Sequence, residues 1–256
     1  MKGIMEQIMR NIKLTLEYDG SRYQGWARLG KGESNNTVSN KLIDVIHKMT
    51  NETVELFAGC RTEVGIHAYG QVVNFKTTSP LRDYEIKNYI NRYLPQDIAV
   101  VDIEEVPERF NAKLNATSKT YLYRISVNEA PSVFERKYIY HSFKTPDIAL
   151  MKEAAQAFIG SHDFKHFSTV KRTKSTEKTI HHLDVYSDGQ ELQITIEAND
   201  FLHNMNRMVI GFILDIGLGK RKLEEIDLIL NSRSAFDPIV PCDPIGMFLQ
   251  DINFDK

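Results

Sequence analysis

The sequence has little cysteine, no long apolar run and almost no net charge, and each absence excludes a class of protein. Its two cysteines, Cys60 and Cys242, cannot build a disulfide framework. The longest apolar run, Met208–Leu214, is far shorter than the roughly 20 residues of a membrane-spanning helix, and no signal-peptide pattern opens the chain. The 32 basic and 34 acidic residues nearly cancel, and 42% hydrophobic residues suffice for a packed core. We therefore expect a folded cytoplasmic protein with no membrane partner.

Apolar periodicity predicts the same order of strands and helices in both halves of the chain. The first half has predicted strands near 12–18, 53–58, 71–75 and 98–106 and helices near 38–49 and 86–94. The second has predicted strands near 121–127, 182–186, 192–198 and 246–252, helices near 145–158 and 201–216, and an extra helix near 223–230. This order predicts an α+β fold of two tandem ferredoxin-like β-α-β-β-α-β halves, with a central mixed or antiparallel sheet and helices on one face. We place the domains at 1–106 and 107–256.

The predicted hairpin loops of the two halves differ in length. In the second half the strands turn over Ser187–Gln190, whereas in the first half the connection runs over Gly59–Gly70 with the sequence GCRTEVGIHAYG. Loops this long are uncommon and tend to be functional. Arg61 and Glu63 lie two residues apart in it, so an extended backbone would point both side chains the same way. The pair is equally compatible with a nucleophile or general base beside a cation and with an isolated surface ion pair.

Aromatic and charged positions in the second half give further candidates. Tyr121 and Tyr123 share one face of a predicted strand, which is typical of core packing, and an aromatic platform for a nucleic-acid base is the alternative. Arg207 lies in an apolar helix, where a cation must reach solvent or pair with an acid. The helical spacing also predicts a polar stripe that consists of Asp200, His203, Asn204 and Arg207.

A basic run follows residue 164. Its cations are Lys165, Lys171, Arg172, Lys174 and Lys178. Such a run is typical of a solvated loop, and the alternative is a surface that binds RNA phosphates. Histidines in and around this run do not form a recognisable ligand set with Cys, Asp or Glu, and we predict no metal site.

Six segments, in order, resemble the tRNA pseudouridine synthase A family over nearly the whole chain. They are YDGSRYQGW (18–26), AGCRTEVGIHAYGQV (58–72), SKTYLYRI (118–125), HDF (162–164), FLHNMNRMVIGFILDIGLGK (201–220) and PIGMFL (244–249). The resemblance implies a pseudouridine synthase fold and an isomerase that converts uridine to pseudouridine in the anticodon stem-loop of tRNA. It also implies a homodimer that needs no cofactor or metal.

The resemblance also implies roles for four residues. The family's nucleophilic aspartate aligns with Glu63 and its base-flipping arginine with Arg61. The stacking tyrosine of the second motif falls on Tyr121, and the cation that pairs with the carboxylate falls on Arg207. A nucleotide must leave its stack before such chemistry, and an arginine and a tyrosine can offset that cost.

The chain departs from the family pattern at its most important position, because Glu63 replaces an aspartate. The extra methylene moves the carboxylate by about 1 Å, a displacement that can cost about 100-fold in rate. Asp200, where the family tends to have glycine, and Asn206 beside Arg207 are further departures. One hypothesis is a working synthase with a pocket that accepts the longer carboxylate. The other is an impaired or inactive paralogue that retains tRNA binding. A ferredoxin-like metabolite-binding protein is a third, remote alternative.

Overall fold

The protein is described from a computed structural model, which covers residues 8–27, 34–169, 175–231 and 237–255. The chain forms two compact units. One consists of residues 1–116 and 251–256, and the other of residues 117–250. None of the described helices is long and apolar enough to cross a membrane.

The first unit follows the β-α-β-β-α-β order. Its elements are β1 (Arg10–Tyr18), α1 (Val38–Thr50), β2 (Phe57–Ala58), β3 (His67–Thr77), α2 (Asp83–Tyr93), β4 (Ile98–Val106) and the single helical turn α3 (Ala112–Asn115). Strand β1 lies between β3 and β4 and is antiparallel to both. Residues Ile12, Leu14 and Leu16 of β1 are fully buried and alternate with more exposed residues, so one face of the sheet carries the core. Helices α1 and α2 pack on each other, and α2 packs on β4.

The second unit has the same order with additions. Its elements are β5 (Ala116–Ser126), β6 (Tyr140–His141), α4 (Ile148–Ala157), β7 (Gly160–Asp163), β8 (Glu177–Ser187), β9 (Glu191–Ala198), α5 (Met205–Gly217), α6 (Glu225–Asn231) and β10 (Met247–Phe254). Strands β5, β9, β8 and β7 are neighbours in that order, and each pair is antiparallel. Helix α4 packs on α5 and β8. The last residues of β10 belong to the first unit.

Buried asparagines hold the segment after β4 on the first unit. The amide nitrogen of Asn11 donates to the carbonyl oxygens of Pro107 and Phe110, at 3.0 and 2.9 Å. The amide nitrogen of Asn74 donates to Asn11 Oδ1 at 2.8 Å, and Asn74 Oδ1 accepts the backbone N–H of Ala112 at 2.8 Å. These bonds explain why the first unit runs to residue 116, ten residues beyond the domain boundary that we predict from the sequence.

Several predicted elements have different bounds in the structure. The strand predicted over 53–58 is only Phe57–Ala58, whereas β3 begins at His67, inside the predicted loop, because Tyr18 of β1 pairs with Ala68. Helix α4 begins at Ile148 rather than at 145, because the side chain of Asp147 caps it by accepting the N–H of Leu150.

Helix α5 begins at Met205 rather than near residue 201. Asn204 has a positive φ of 63°, a left-handed conformation that the helix cannot include. The prediction of one helical stripe through Asp200, His203, Asn204 and Arg207 is therefore wrong, because the first three precede the helix.

We expect the change Asn74→Ala to lower the free energy of unfolding by about 2–3 kcal/mol. Asn74 is 1% exposed, and its loss leaves the buried groups of Asn11 and Ala112 without these bonds. Urea unfolding measures the change. Asp102→Ala, at an exposed position of β4, is the control and should stay within about 0.5 kcal/mol of the original chain. An Asn74→Ala loss no larger than that of the control would contradict this role.

Candidate active site

The loop with Arg61 and Glu63 joins β2 to β3 and spans residues 59–66. The N–H of Ile66 donates to the carbonyl oxygen of Glu63 at 3.3 Å, and Gly65 between them has φ 80°. This is a tight turn whose third position requires a positive φ, which glycine adopts without strain. Arg61 is exposed, Thr62 is buried and Glu63 is half-buried. The carboxylate therefore lies at the start of a fixed turn.

A buried polar network holds the inner side of this loop. The hydroxyls of Thr62 and Tyr18 form a hydrogen bond of 2.7 Å. The side-chain amide of Gln71 donates to the carbonyl oxygen of Cys60 at 2.9 Å and accepts the N–H of Cys60 at 3.3 Å. Burial raises the pKa of Tyr18 above its usual range, so this hydroxyl stays neutral. Because Thr62 points inward, its neighbours Arg61 and Glu63 are the more exposed residues, as alternation along an extended segment predicts.

Two glycines of the segment after β1 touch the backbone of the same loop. A Cβ atom on Gly25 would lie 2.8 Å from the carbonyl oxygen of Thr62 and 3.2 Å from the carbonyl carbon of Glu63. A Cβ atom on Gly20 would lie 2.0 Å from the carbonyl oxygen of Ile66. Gly25 also has φ 79°, which disfavours any other residue. Only glycine fits at either position without moving the loop.

The start of helix α1 and Asp97 hold this glycine segment in turn. Backbone N–H groups of Val38 and Ser39 donate to the carbonyl oxygens of Gly25 and Trp26, at 3.3 and 2.9 Å, and the N–H of Trp26 donates to the carbonyl oxygen of Thr62 at 3.0 Å. The hydroxyl of Tyr23 donates to Asp97 at 2.5 Å, and burial together with this carboxylate raises the pKa of Tyr23 to about 12. Helix α1 is thereby linked through Trp26 to the loop.

Tyr121 and Tyr123 both lie in the core of the second unit. Tyr121 is 4% exposed, and its ring meets Phe201 edge-on at a centroid distance of 5.3 Å. Tyr123 is fully buried, and its ring stacks on Tyr140 at 6.1 Å. Burial raises the pKa of Tyr123 beyond its usual range. Both tyrosines are therefore buried, as the core interpretation predicts, and Tyr121 retains 4% of its surface exposed.

The guanidinium of Arg207 is anchored in the first turn of α5. Its Nε and Nη2 both donate to the carbonyl oxygen of Cys242, at 2.9 and 2.6 Å, and its Nη1 donates to Asn204 Oδ1 at 3.2 Å. The N–H of Cys242 donates back to the carbonyl oxygen of Arg207 at 3.0 Å. The left-handed backbone of Asn204 therefore places its side-chain oxygen within hydrogen-bond distance of the guanidinium.

The predicted RNA-binding cations have different surroundings. Lys165 is exposed in a short 3-10 turn, Lys165–Phe167. The ammonium of Lys178 lies 3.2 Å from Asp200 Oδ2, and that of Lys119 lies 2.5 Å from Asp200 Oδ1. The other three predicted cations, Lys171, Arg172 and Lys174, lie outside the described residues. Within the described ranges, no three His, Cys, Asp or Glu side chains are grouped as metal ligands would be.

The family model of tRNA pseudouridine synthase matches residues 15–114 and 154–255, which include the Glu63 loop, the glycine segment and Arg207. The chain belongs to this family. A "tRNA pseudouridine synthase A 2" of Bacillus anthracis is 39% identical and spans 96% of this chain and 100% of its own length. A protein of the same name from Clostridium perfringens is 40% identical and spans 95% of this chain and 99% of its own length.

Similarity to solved structures is weaker. A chain from a "Cbf5-Nop10-Gar1 Complex" is 12% identical, with a TM-score of 0.35, and the match covers 80% of this chain and 45% of that one.

Within this synthase family member, the residues that support the loop do not stand out in the sequence by residue type or spacing. Thr62, Gln71 and the two glycines have no proposed role in the chemistry, yet they fix the backbone on both sides of Glu63. The available signal was their place inside the first two motifs, 18–26 and 58–72, which the structure brings into contact. Lys119 was also missed, because a lone lysine on a strand has no distinguishing pattern.

We expect Gly25→Ala to destabilise the protein more than Gly219→Ala does. Both glycines have positive φ, at 79° and 70°, but a Cβ at Gly219 meets nothing within 4 Å, whereas at Gly25 it meets Thr62 and Glu63. The shared conformational cost is about 1–2 kcal/mol, and the overlap at Gly25 adds about 1–3 kcal/mol. Urea unfolding of both variants checks the difference. Equal losses of unfolding free energy in the two variants would show that the loop backbone moves to accept the added methyl group at little cost.

Proposed function

We propose that this chain is a tRNA pseudouridine synthase in which Glu63 is the nucleophile. The observation that carries the proposal is that the half-buried Glu63 begins a turn whose backbone is held by hydrogen bonds and by close contact with glycines. Arg61, on the same exposed side of the loop, positions the extruded nucleotide. Tyr121 contacts the base and assists proton transfer, and Arg207 supplies the positive charge that the family resemblance assigns to it.

The reaction is an isomerisation, so atoms are conserved. The carboxylate of Glu63 adds to the uracil ring or to the ribose C1′, and the bond between C1′ and N1 breaks. The detached base turns and a bond forms between C1′ and C5. The bond to the Glu63 carboxylate then breaks, which frees the carboxylate again, while the proton on C5 is lost and N1 gains a proton. A uridine inside a helix must be flipped out first, which an arginine and an aromatic side chain assist.

The finer assignments follow from the family resemblance and stay predictions. They are the anticodon stem-loop as the site of modification, a homodimer, and a place in the cytoplasm. The basic run that includes Lys165 and Lys178 is proposed to bind the RNA backbone, because cations near an RNA site neutralise phosphates.

We expect Glu63→Gln to reduce turnover at least about 10³-fold, because an amide cannot act as the nucleophile. The change should leave tRNA binding within about threefold, since no cation is removed. Tritium release from tRNA labelled at uridine C5 measures turnover, and filter binding measures affinity. Glu55→Gln, at an exposed position of the same unit, is the control.

The same measurements also distinguish the two hypotheses that the sequence leaves open, a working synthase and an inactive paralogue that binds tRNA. If the original chain binds tRNA and releases tritium no faster than Glu63→Gln, it is an RNA-binding paralogue without the activity. Glu63→Asp should retain binding and slow turnover by at least about tenfold, because it withdraws the carboxylate by about 1 Å. Faster turnover of Glu63→Asp would mean that the loop suits an aspartate.

We expect Tyr121→Phe to slow turnover at least about tenfold with little change in tRNA affinity. Tyr121 is only 4% exposed, which favours a role of its hydroxyl in proton transfer over an open stacking surface. Phenylalanine keeps the edge-on packing against Phe201, whereas alanine would leave a cavity. Tyr123→Phe, two residues along the same strand face, is the control, and its turnover should stay within about twofold of that of the original chain. Equal effects of both variants would indicate packing alone.

A further inference from the structure

The second unit contains a group of three charges, of which only Lys178 has so far been given a role, as part of the basic run. Asp200 lies just before Phe201, between β9 and α5. One carboxylate oxygen of Asp200 pairs with the ammonium of Lys119 on β5, and the other pairs with that of Lys178 on β8. The single carboxylate therefore draws together two cations from different strands, and the group carries one net positive charge.

The backbone near Asp200 is also fixed. The side chain of Asn199 accepts the N–H groups of Asp200 and Thr179, at 2.8 and 3.0 Å, and the N–H of Asn199 donates to the carbonyl oxygen of Thr179 at 3.0 Å. These bonds tie the segment before α5 to β8, one residue after Lys178. The backbone of Asp200 is therefore fixed next to β8, and its contact with Lys178 follows from the fold.

Burial within the group shows which charge faces solvent. The side chains of Lys119 and Lys178 are 15% and 17% exposed, whereas that of Asp200 is 45% exposed. Burial alone would raise the pKa of Asp200, but the two lysines outweigh it and hold the pKa below its usual range. The carboxylate is therefore ionised near neutral pH, and it covers two cations that are only partly exposed.

The group lies next to the predicted stacking residue. Lys119 and Tyr121 are two residues apart on β5 and so point to the same face of the strand. Phe201, which follows Asp200, meets the ring of Tyr121 at 5.3 Å. A nucleotide that contacts Tyr121 would therefore have this group as its neighbour along the same face of β5. The ligand that fits two converging ammonium groups is an anion with several acceptor oxygens.

We propose that Lys119 and Lys178 form a binding site for one backbone phosphate of the RNA, and that Asp200 is the internal counterion with which that phosphate competes. The carboxylate keeps the two cations together before RNA binds. It also weakens the attraction for any RNA that does not place a phosphate there, because a misplaced strand cannot compensate for the repulsion from Asp200. Asp200 is thereby a specificity-determining residue. The inference rests on the proposed function, which supplies the RNA.

The test measures the affinity of a tRNA transcript for three variants at salt concentrations from about 50 to about 300 mM. We expect Asp200→Asn to bind tRNA about threefold to tenfold more tightly at the lowest salt, because the competing charge is gone. We expect Lys178→Gln to bind about threefold to tenfold more weakly and to reduce the slope of log affinity against log salt by about 0.7–0.9, the loss of one phosphate contact. The double variant should lose most of the gain of Asp200→Asn.

The chain offers a matched control pair in the same unit. Asp215 and Lys220 form an ion pair of 2.9 Å, so Asp215→Asn and Lys220→Gln make the same changes of charge elsewhere on the surface. Effects of Asp200→Asn and Lys178→Gln no larger than those of these controls would overturn the inference. Melting temperatures confirm that each variant is folded. If the original chain itself binds no tRNA, the proposed function fails, whereas binding with control-like variants removes only the phosphate site.

Discussion

The structure of the candidate site depends on one steric constraint, which is the close approach of Gly25 and Gly20 to the loop that carries Glu63. No Cβ atom fits at either glycine unless the backbone of residues 62–66 moves. The N–H groups at the start of α1 and the hydrogen bond from Trp26 to Thr62 transmit this constraint from the helix to the loop. The backbone that positions the carboxylate is consequently fixed before any substrate binds.

Buried polar side chains fix the inner side of the loop, in addition to the two glycines. Thr62 is held inside by Tyr18, and Gln71 holds both backbone groups of Cys60, so the loop has little freedom to turn over. Buried polar groups of this kind are costly unless every partner is in place, which makes a single arrangement of the loop favourable. Arg61 and Glu63 are more exposed than Thr62 because the side chain of Thr62, which lies between them, is buried. Thr62 and Gln71, which have no proposed role in the chemistry, thus determine that Arg61 and Glu63 are the accessible side chains of the loop.

Local patterns predicted those parts of the fold that depend on neighbours in sequence. Strand β4 has the predicted bounds, and α1 begins at the predicted residue 38, because alternation and helical spacing are local properties. The start of β3 at His67 depends on pairing with Tyr18, and the start of α5 depends on the left-handed Asn204, and neither follows from periodicity. Arg61 and Glu63 could be singled out by spacing and family resemblance. The contact of Gly25 with their loop could not, because it joins segments far apart in the chain.

The same rigidity bears on the glutamate at position 63. A flexible loop could retreat by about 1 Å and present a longer side chain at the position that an aspartate would occupy. Here the carbonyl oxygen of Thr62 accepts the N–H of Trp26 at 3.0 Å, so a displacement of the loop backbone would strain or break this hydrogen bond. If Glu63 is the nucleophile that we propose, its extra methylene is therefore accommodated by a bent glutamate rotamer or by a displaced nucleotide rather than by a shift of the loop.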